Sequence, residues 1–202
     1  MKLTTITQVS VDGVMQNSSS EEDRKAGFER GGWVLGHSDS ESSAFVNQLY
    51  QRADAFLFGR RTYDLLSAYW GPMAPGSGPL ADALNTKPKY VVSGTLTEPE
   101  WEGTTVLAGD LAAAIRELKA KPAGELLVPG SGALVRWLLD NELVDELTLL
   151  IVPVVVGQGA QLFPASGPDI ALELRESRAF PKGITLQVYQ PAGRPQYATA
   201  TA

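Results

Sequence analysis

Glycine turns that follow apolar runs are the residues of this chain best suited to chemistry. Gly130-Ser131-Gly132 lies between a short apolar run at 125–129, which reads as a buried strand, and a helical pattern at 133–141. Leu134, Trp137 and Leu138 share one face of that helix. A strand, a tight turn and a helix in that order leave free N–H groups at the helix start. Those donors and the helix dipole favour an anion, so Gly130, Ser131, Gly132 and Ala133 are candidate phosphate contacts. Glycine suits the turn because a side chain would keep a phosphate away from the backbone. The stretch is neither G-x-G-x-x-G nor a P-loop, and taken alone an ordinary strand-to-helix turn is the preferred account.

Gly59-Arg60-Arg61-Thr62 repeats the arrangement. It follows the apolar run 55–58 and opens a short helix through Tyr69, with cations and a hydroxyl at the helix start. The plainer account is a surface arginine pair with Thr62 as a cap. Gly157 and Gly159 form another glycine turn, after the β-branched run 147–156. Pro153 interrupts that run and marks an edge or a bulge, because proline cannot donate to a ladder. Asp12-Gly13 closes the first strand-like run, and Asp12 there is a candidate site residue. Asp-Gly is equally an ordinary turn. Trp33, beside Gly31 and Gly32, and Trp70, at the head of a Gly/Pro-rich stretch, could cover a ligand. For Trp33, packing its loop down is the preferred reading.

Composition removes several alternatives. The 202 residues suffice for one sizeable core, and 44% hydrophobic content is that of a globular protein. A net charge of −6 argues against a general affinity for nucleic acid. No apolar run is long enough for a membrane span, and Met1-Lys2 leads into Leu3 to Ile6 without a signal-peptide pattern, so a cytoplasmic protein is expected. Without cysteine there is no disulfide, thiol nucleophile or cysteine metal site. His37 is the only histidine and sits in a polar stretch, which disfavours a Ser-His-Asp triad and multi-histidine metal sites. No metal is expected. These absences favour chemistry carried by a bound organic cofactor.

These residues need a frame. Strand-like runs at 3–11, 55–58, 90–93, 104–107, 125–129 and 147–156 alternate with helical patterns at 41–52, 80–84 and 110–119 in the first two-thirds. Residues 16–32 read as a mobile polar loop. Ile170, Leu172 and Leu174, then Ile184, Leu186 and Val188, alternate with other residues as antiparallel strands do. The fold expected is α/β: a mostly parallel central sheet of about eight strands, an antiparallel C-terminal end, and helices on both faces. Asp12, Arg60, Ser93, Gly130 and Gly157 all fall just after strands, where such sheets bind ligands. One domain over 1–191 and a flexible tail over 192–202 are expected.

Taken together, Val11-Asp12-Gly13, the segment 58–63, Val92-Ser93-Gly94-Thr95-Leu96, Gly130-Ser131-Gly132 with the segment 143–147, and the segment 153–159 resemble the dihydrofolate reductase-like superfamily. The similarity is greatest to the branch containing the C-terminal reductase domain of the bacterial riboflavin-pathway deaminase-reductase, and it spans roughly Lys2 to Pro191. The resemblance implies hydride transfer from NADPH to a small pterin-like or flavin-precursor-like heterocycle. It carries Gly59, Arg60, Thr62, Gly130, Ser131 and Gly132 to the pyrophosphate and its flanks. Ser93 and Thr95 fall where the superfamily holds the adenosine 2′-phosphate, although Gly94 stands where many relatives have arginine. Arg60 or Arg61 could compensate. Asp12 matches the family's Asp-Gly after the first strand, which makes it, as a desolvated acid, the candidate proton donor for reduction of C=N or C=O, and no acid aligns with the folate-pocket carboxylate. The resemblance also implies a homodimer, and the run 147–156 is too apolar for an open sheet edge. A non-catalytic NADP-binding or sensing protein on the same fold is the alternative function.

Overall fold

The computed structural model describes residues 1–18, 20–122 and 124–198. Its centre is β1 (Lys2–Ser10), a run of Thr, Val and Ile buried on both faces for most of its length, as a parallel interior strand must be. β2 (Ala55–Gly59), β3 (Lys89–Val92), β4 (Thr104–Leu107), β5 (Glu125–Val128) and β6 (Glu146–Val152) run parallel with it. β7 (Leu172–Ala179) and β8 (Thr185–Pro191) add the antiparallel end. The sheet order is β4-β3-β2-β5-β1-β6-β8-β7. All six parallel strands therefore deliver their carboxyl ends to one edge, in that lateral order.

Helices cover both faces. α2 (Ser40–Arg52), α3 (Arg60–Trp70) and α4 (Pro79–Thr86) pack Leu49, Tyr50, Tyr63 and Leu84 over Ile6, Phe56 and Phe58. α5 (Leu111–Ala120) and α6 (Gly132–Asp140) pack Ile115, Leu118, Val135 and Leu138 over Leu3, Leu57 and Leu126 on the other face. The ends of α2 and α5 are set by local chemistry. Asp39 and Ser42 form a capping box for α2, and Asp110 accepts from the Ala113 N–H at the start of α5. At the opposite edge Lys89 is fully buried. Its Nζ donates to the carbonyls of Leu84 and Lys87 at 2.8 Å and lies 5.1 Å from the Trp101 ring centroid. Burial pushes its pKa down to about 8, only partly offset by Glu102.

Several expectations change. Residues 16–32 are not a featureless loop: α1 (Glu21–Lys25) forms within them, capped by Ser20, and buries Asp23. The run 147–156 is not one strand, because β6 stops at Val152 and Pro153 begins the loop that follows. Pro153 thus terminates a strand rather than marking an edge or a bulge. β6 also lies between β1 and β8, so its apolar character reflects burial inside the sheet and is no ground for a dimer interface. The edge on that side is β7, exposed along its length, whose pairing with β8 shifts register between Leu174 and Glu176. Charges and an irregularity of that kind discourage edge pairing.

Residues 192–197 of the expected tail make contacts. The Arg194 guanidinium and the Tyr197 hydroxyl both bond to Asp169. Residues 199–202 lie outside the described residues. Among the described residues no helix is long and apolar enough to cross a membrane.

Phe58 is fully buried, 5.9 Å from Phe56 and 6.0 Å from Trp101 between ring centroids. Truncation there should leave a cavity under α3. Phe58→Ala is expected to lower unfolding stability by about 3–5 kcal/mol in urea titrations.

Candidate functional site

The site assembles where β2 and β5 lie side by side. The Gly59 N–H donates to the Gly130 carbonyl at 3.2 Å, which brings the two glycine turns into direct contact. A β-carbon on Gly59 would overlap the Ser131 hydroxyl, and one on Gly130 would come within 3.1 Å of Thr62 Oγ1. Both turns therefore need glycine for close approach. α3 starts directly after Gly59 and α6 directly after Ser131, on opposite faces of the sheet, so their N-termini meet at the edge. Neither Gly59 nor Ser131 caps its helix with a side-chain bond. Two sets of first-turn N–H groups thus point at one place, flanked by the hydroxyls of Thr62 and Ser131. This donor set, with no β-carbon over Gly59 or Gly130, fits a pyrophosphate.

Gly132 and Ala133 open α6, and Ala133 is exposed. Gly132 has an additional reason for its identity: a β-carbon would run into the Met15 thioether. Arg60 opens α3 but turns along the helix to Asp64, with Nε at 2.8 Å from both carboxylate oxygens. Arg61 is committed elsewhere, as its guanidinium pairs with the buried Asp23 carboxylate. It therefore fastens α1 to α3 and does not stand in for an arginine at position 94. Burial works against the Asp23 charge, but bonds from Ser18, Ser20 and Gln16 and the Arg61 charge outweigh it and hold its pKa below the usual range. Ser93 follows β3, the neighbour of β2, and is almost buried. Its Oγ accepts from the N–H groups of Thr95 and Leu96 at 3.2 and 3.0 Å, fixing the turn in which Gly94 and Thr95 are exposed.

Asp12 does not have the raised pKa expected of a desolvated acid. The Ser10 hydroxyl donates to it at 2.6 Å, and the N–H groups of Val156 and Gly157 donate at 3.0 and 2.7 Å. These bonds hold its pKa down at about 2, with desolvation a smaller opposing effect. Near neutrality Asp12 is a carboxylate without a proton to give. Its bonds clamp the turn after β1 to the loop after β6, and further bonds continue the clamp, from Val11 N to Val154 O and from Leu162 N to Gly13 O, both 2.9 Å. Gly157 and Gly159 belong to the same clamp. A β-carbon at Gly159 would come within 2.7 Å of Phe28, and one at Gly157 within 3.2 Å of Arg30. The Arg30 guanidinium bonds to the Val156 carbonyl, and the Gln158 side chain donates to Gly27 O at 2.8 Å. Both glycines thus hold the segment 27–30.

Trp33 packs its loop down: its indole N–H donates to the Gln16 carbonyl at 2.8 Å. Trp70 does reach a cavity. It lines an opening of about 230 Å³ on the α2 face of the sheet, together with Gln8, Ser43, Asn47, Leu150 and Ile184. Sequence reading missed Gln8, Ser43 and Asn47. A signal existed, because Gln8 is the long polar residue on the Ile6 face of an otherwise buried strand, and Ser43 and Asn47 are four apart on a helix.

A family model described as the RibD C-terminal domain matches residues 1–186. The chain belongs to the RibD C-terminal domain family. It is similar to the uncharacterized protein YyaP of Bacillus subtilis (strain 168), 28% identical over 188 residues that cover 90% of each chain. Among solved structures, a Shewanella sp. PV-4 protein provisionally assigned to riboflavin biosynthesis is similar at TM-score 0.73 and 23% identity, covering 95% of this chain and 99% of that one. A dihydrofolate reductase from Enterococcus faecalis, complexed with NADP(H) and RAB-propyl, is similar at TM-score 0.61 and 13% identity, covering 94% and 96%. The fold is therefore dihydrofolate reductase-like, as the RibD family membership also implies.

The Asp12 clamp has a testable acid signature. Its folded pKa of about 2 lies below the ordinary carboxylate range, so it contributes stability above that range and loses it as pH falls towards 2. In urea unfolding, wild type should exceed Asp12→Asn at pH 6, and the gap should close as the pH approaches 2.

Proposed function

We propose that this protein is an NADPH-dependent reductase of a small pterin-like or riboflavin-precursor-like heterocycle. The observation that carries the reading is the meeting of two uncapped helix starts over Gly59 and Gly130. Membership of the RibD C-terminal domain family and the likeness to a reductase complexed with NADP(H) support it. In this reading the first-turn N–H groups of α3 and α6, with Thr62 and Ser131, hold the pyrophosphate. Ser93 and Thr95 flank the adenosine end one strand beyond β2, and Arg60 turns from Asp64 to a 2′-phosphate. Bound NADPH would supply the hydride. Asp12 serves by fixing the loops at the nicotinamide end rather than by giving a proton. The clamp it forms keeps Met15 and the segment 27–30 over the mouth of the site.

Two observations favour a second reading, a non-catalytic NADP-binding or sensing protein. Asp12 is held ionised, and the cavity beside Trp70 has no acid in its lining. Steady-state NADPH oxidation against a heterocycle panel separates the two, because a sensor binds the nucleotide without turnover. Reduction without an enzyme acid requires the accompanying proton to come from water. A homodimer and a cytoplasmic location belong to the proposal on the resemblance alone. Light scattering at micromolar protein should give twice the chain mass, and a monomer would remove that part of the reading.

Calorimetric titration should show NADPH binding to the wild type. Thr62→Val and Ser131→Ala each remove one hydroxyl beside the helix starts and should weaken it by about tenfold. NADPH affinity unchanged in both variants would overturn the placement of the pyrophosphate.

A further inference from the structure

The start of α3 carries two groups of opposite charge beside the cradle. Arg60 is its first residue, and Asp64 lies one helical turn further on. The Arg60 Nε lies 2.8 Å from both oxygens of the Asp64 carboxylate. The two terminal nitrogens of that guanidinium make no bond among the described residues. Both side chains are largely solvated, with 41% of Arg60 and 49% of Asp64 exposed. A pair of that kind is weak, so either group can take a new partner at little cost. Arg61 differs, because its partner Asp23 is buried.

The two groups suit different ligands. A guanidinium takes a phosphate through paired N–H donors, whereas a carboxylate accepts from a ribose hydroxyl. NADPH and NADH differ at that point alone, with a phosphate or a hydroxyl on the adenosine ribose. The turn after β3 lies beside the end of β2, and its Leu96 lines the same groove as Arg60 and Asp64. A ribose laid along the edge from the cradle towards β3 therefore passes both groups.

The surroundings do not favour the phosphate. Among the described residues that line this groove Arg60 is the only cation, and Glu98, Glu100 and Glu102 line it too, all exposed. Their field opposes a dianion. The Ser93 hydroxyl already accepts from the N–H groups of Thr95 and Leu96. Gly94 supplies no side chain, although the fold would accept one. A β-carbon there meets nothing within 4 Å, and its φ lies outside the left-handed region. Capture of the phosphate thus falls to Arg60, and Asp64 competes for it.

We propose that this site takes either nucleotide: Asp64 accepts from the ribose hydroxyl of NADH, Arg60 takes the corresponding phosphate of NADPH, and Asp64 is the residue that keeps the preference between them small. The proposal rests on the reductase reading for the presence of a nicotinamide nucleotide, and it widens the cofactor of that reading from NADPH to both. Asp64 favours NADH through the hydroxyl. It disfavours NADPH by its charge and by its hold on Arg60.

Calorimetric titration of the full chain with NADPH and with NADH, without any heterocycle, tests this. The two dissociation constants should lie within about tenfold of each other. Asp64→Ala should move them in opposite directions, NADPH tighter and NADH weaker, each by about threefold. Damage to α3 would weaken both, so opposite signs are specific to the proposed role. Arg60→Ala should weaken NADPH by about tenfold and leave NADH within about twofold. Gly94→Arg places a cation in open space and should tighten NADPH by about tenfold with NADH unchanged. Circular dichroism checks folding, and if Asp64→Ala unfolds, Asp64→Asn should show the same tightening of NADPH. A gap wider than about tenfold in the wild type, or shifts of one sign in Asp64→Ala, would overturn the proposal and leave the reductase reading standing. So would a Gly94→Arg variant that folds and binds both nucleotides as the wild type does. Binding of both nucleotides without oxidation of either against the heterocycle panel does the reverse. Binding of neither overturns both.

Discussion

The close passage of Gly59 against Gly130 and Ser131 is the constraint on which the rest of this structure depends. Two parallel strands end there, and each is followed at once by a helix on the opposite face. With any side chain at Gly59 the two turns would have to separate, because the Ser131 hydroxyl already fills the space. The helix starts would separate with them, and a paired donor set would become two ordinary strand-to-helix turns. The sheet order then spreads the remaining groups to either side. Ser93 lies beyond β2 on one side, and the Asp12 clamp lies beyond β5 on the other. A long ligand laid along that edge meets backbone donors in its middle and loops at both ends, which is the general arrangement of open α/β sheets.

The clamp beyond β5 shows how a reactive-looking residue can be used for architecture. Asp12 sits where an acid would be wanted, yet three donors converge on its carboxylate. Donors to the charged form lower a pKa, and here they outweigh the small effect of burial. The same carboxylate joins segments 144 residues apart in the chain. Arg61 tells a parallel story on the far side of the mouth. Its charge holds the buried Asp23, and so ties α1 to the helix that starts after Gly59. Charged residues near the site thus mainly hold loops, and the cavity beside Trp70 is left to neutral polar groups.

Much of the frame was legible in the sequence. Strand and helix identities follow from local periodicity, capping residues and glycine punctuation, and these are local properties. β4 runs over the residues expected, and the other assigned strands and helices start or end within a few residues of their patterns. The run 147–156 and the loop 16–32 are the exceptions. A continuous apolar run does not reveal where a strand stops, and a five-residue helix leaves too short a pattern to see. That Asp12, Gly59, Ser93 and Gly130 share an edge also followed from the sequence, because each comes directly after a strand and the strands were expected to be parallel.

What the sequence could not decide is which side chains meet across that edge. The partners of Asp12 are backbone N–H groups of Val156 and Gly157, which carry no residue-specific signature. Whether Arg60 or Arg61 faces a ligand depends on Asp64 and Asp23, one a helical turn away and the other on an unforeseen helix. Gln8, Ser43 and Asn47 come from β1 and α2, and only the packing of α2 on the sheet puts them around one cavity with Trp70. The sequence by itself determined the elements, their glycine turns and the end of the sheet where they gather. Tertiary structure decided the protonation of Asp12, the employment of the arginines and the neutral character of the cavity, because each depends on contacts between residues distant in the chain.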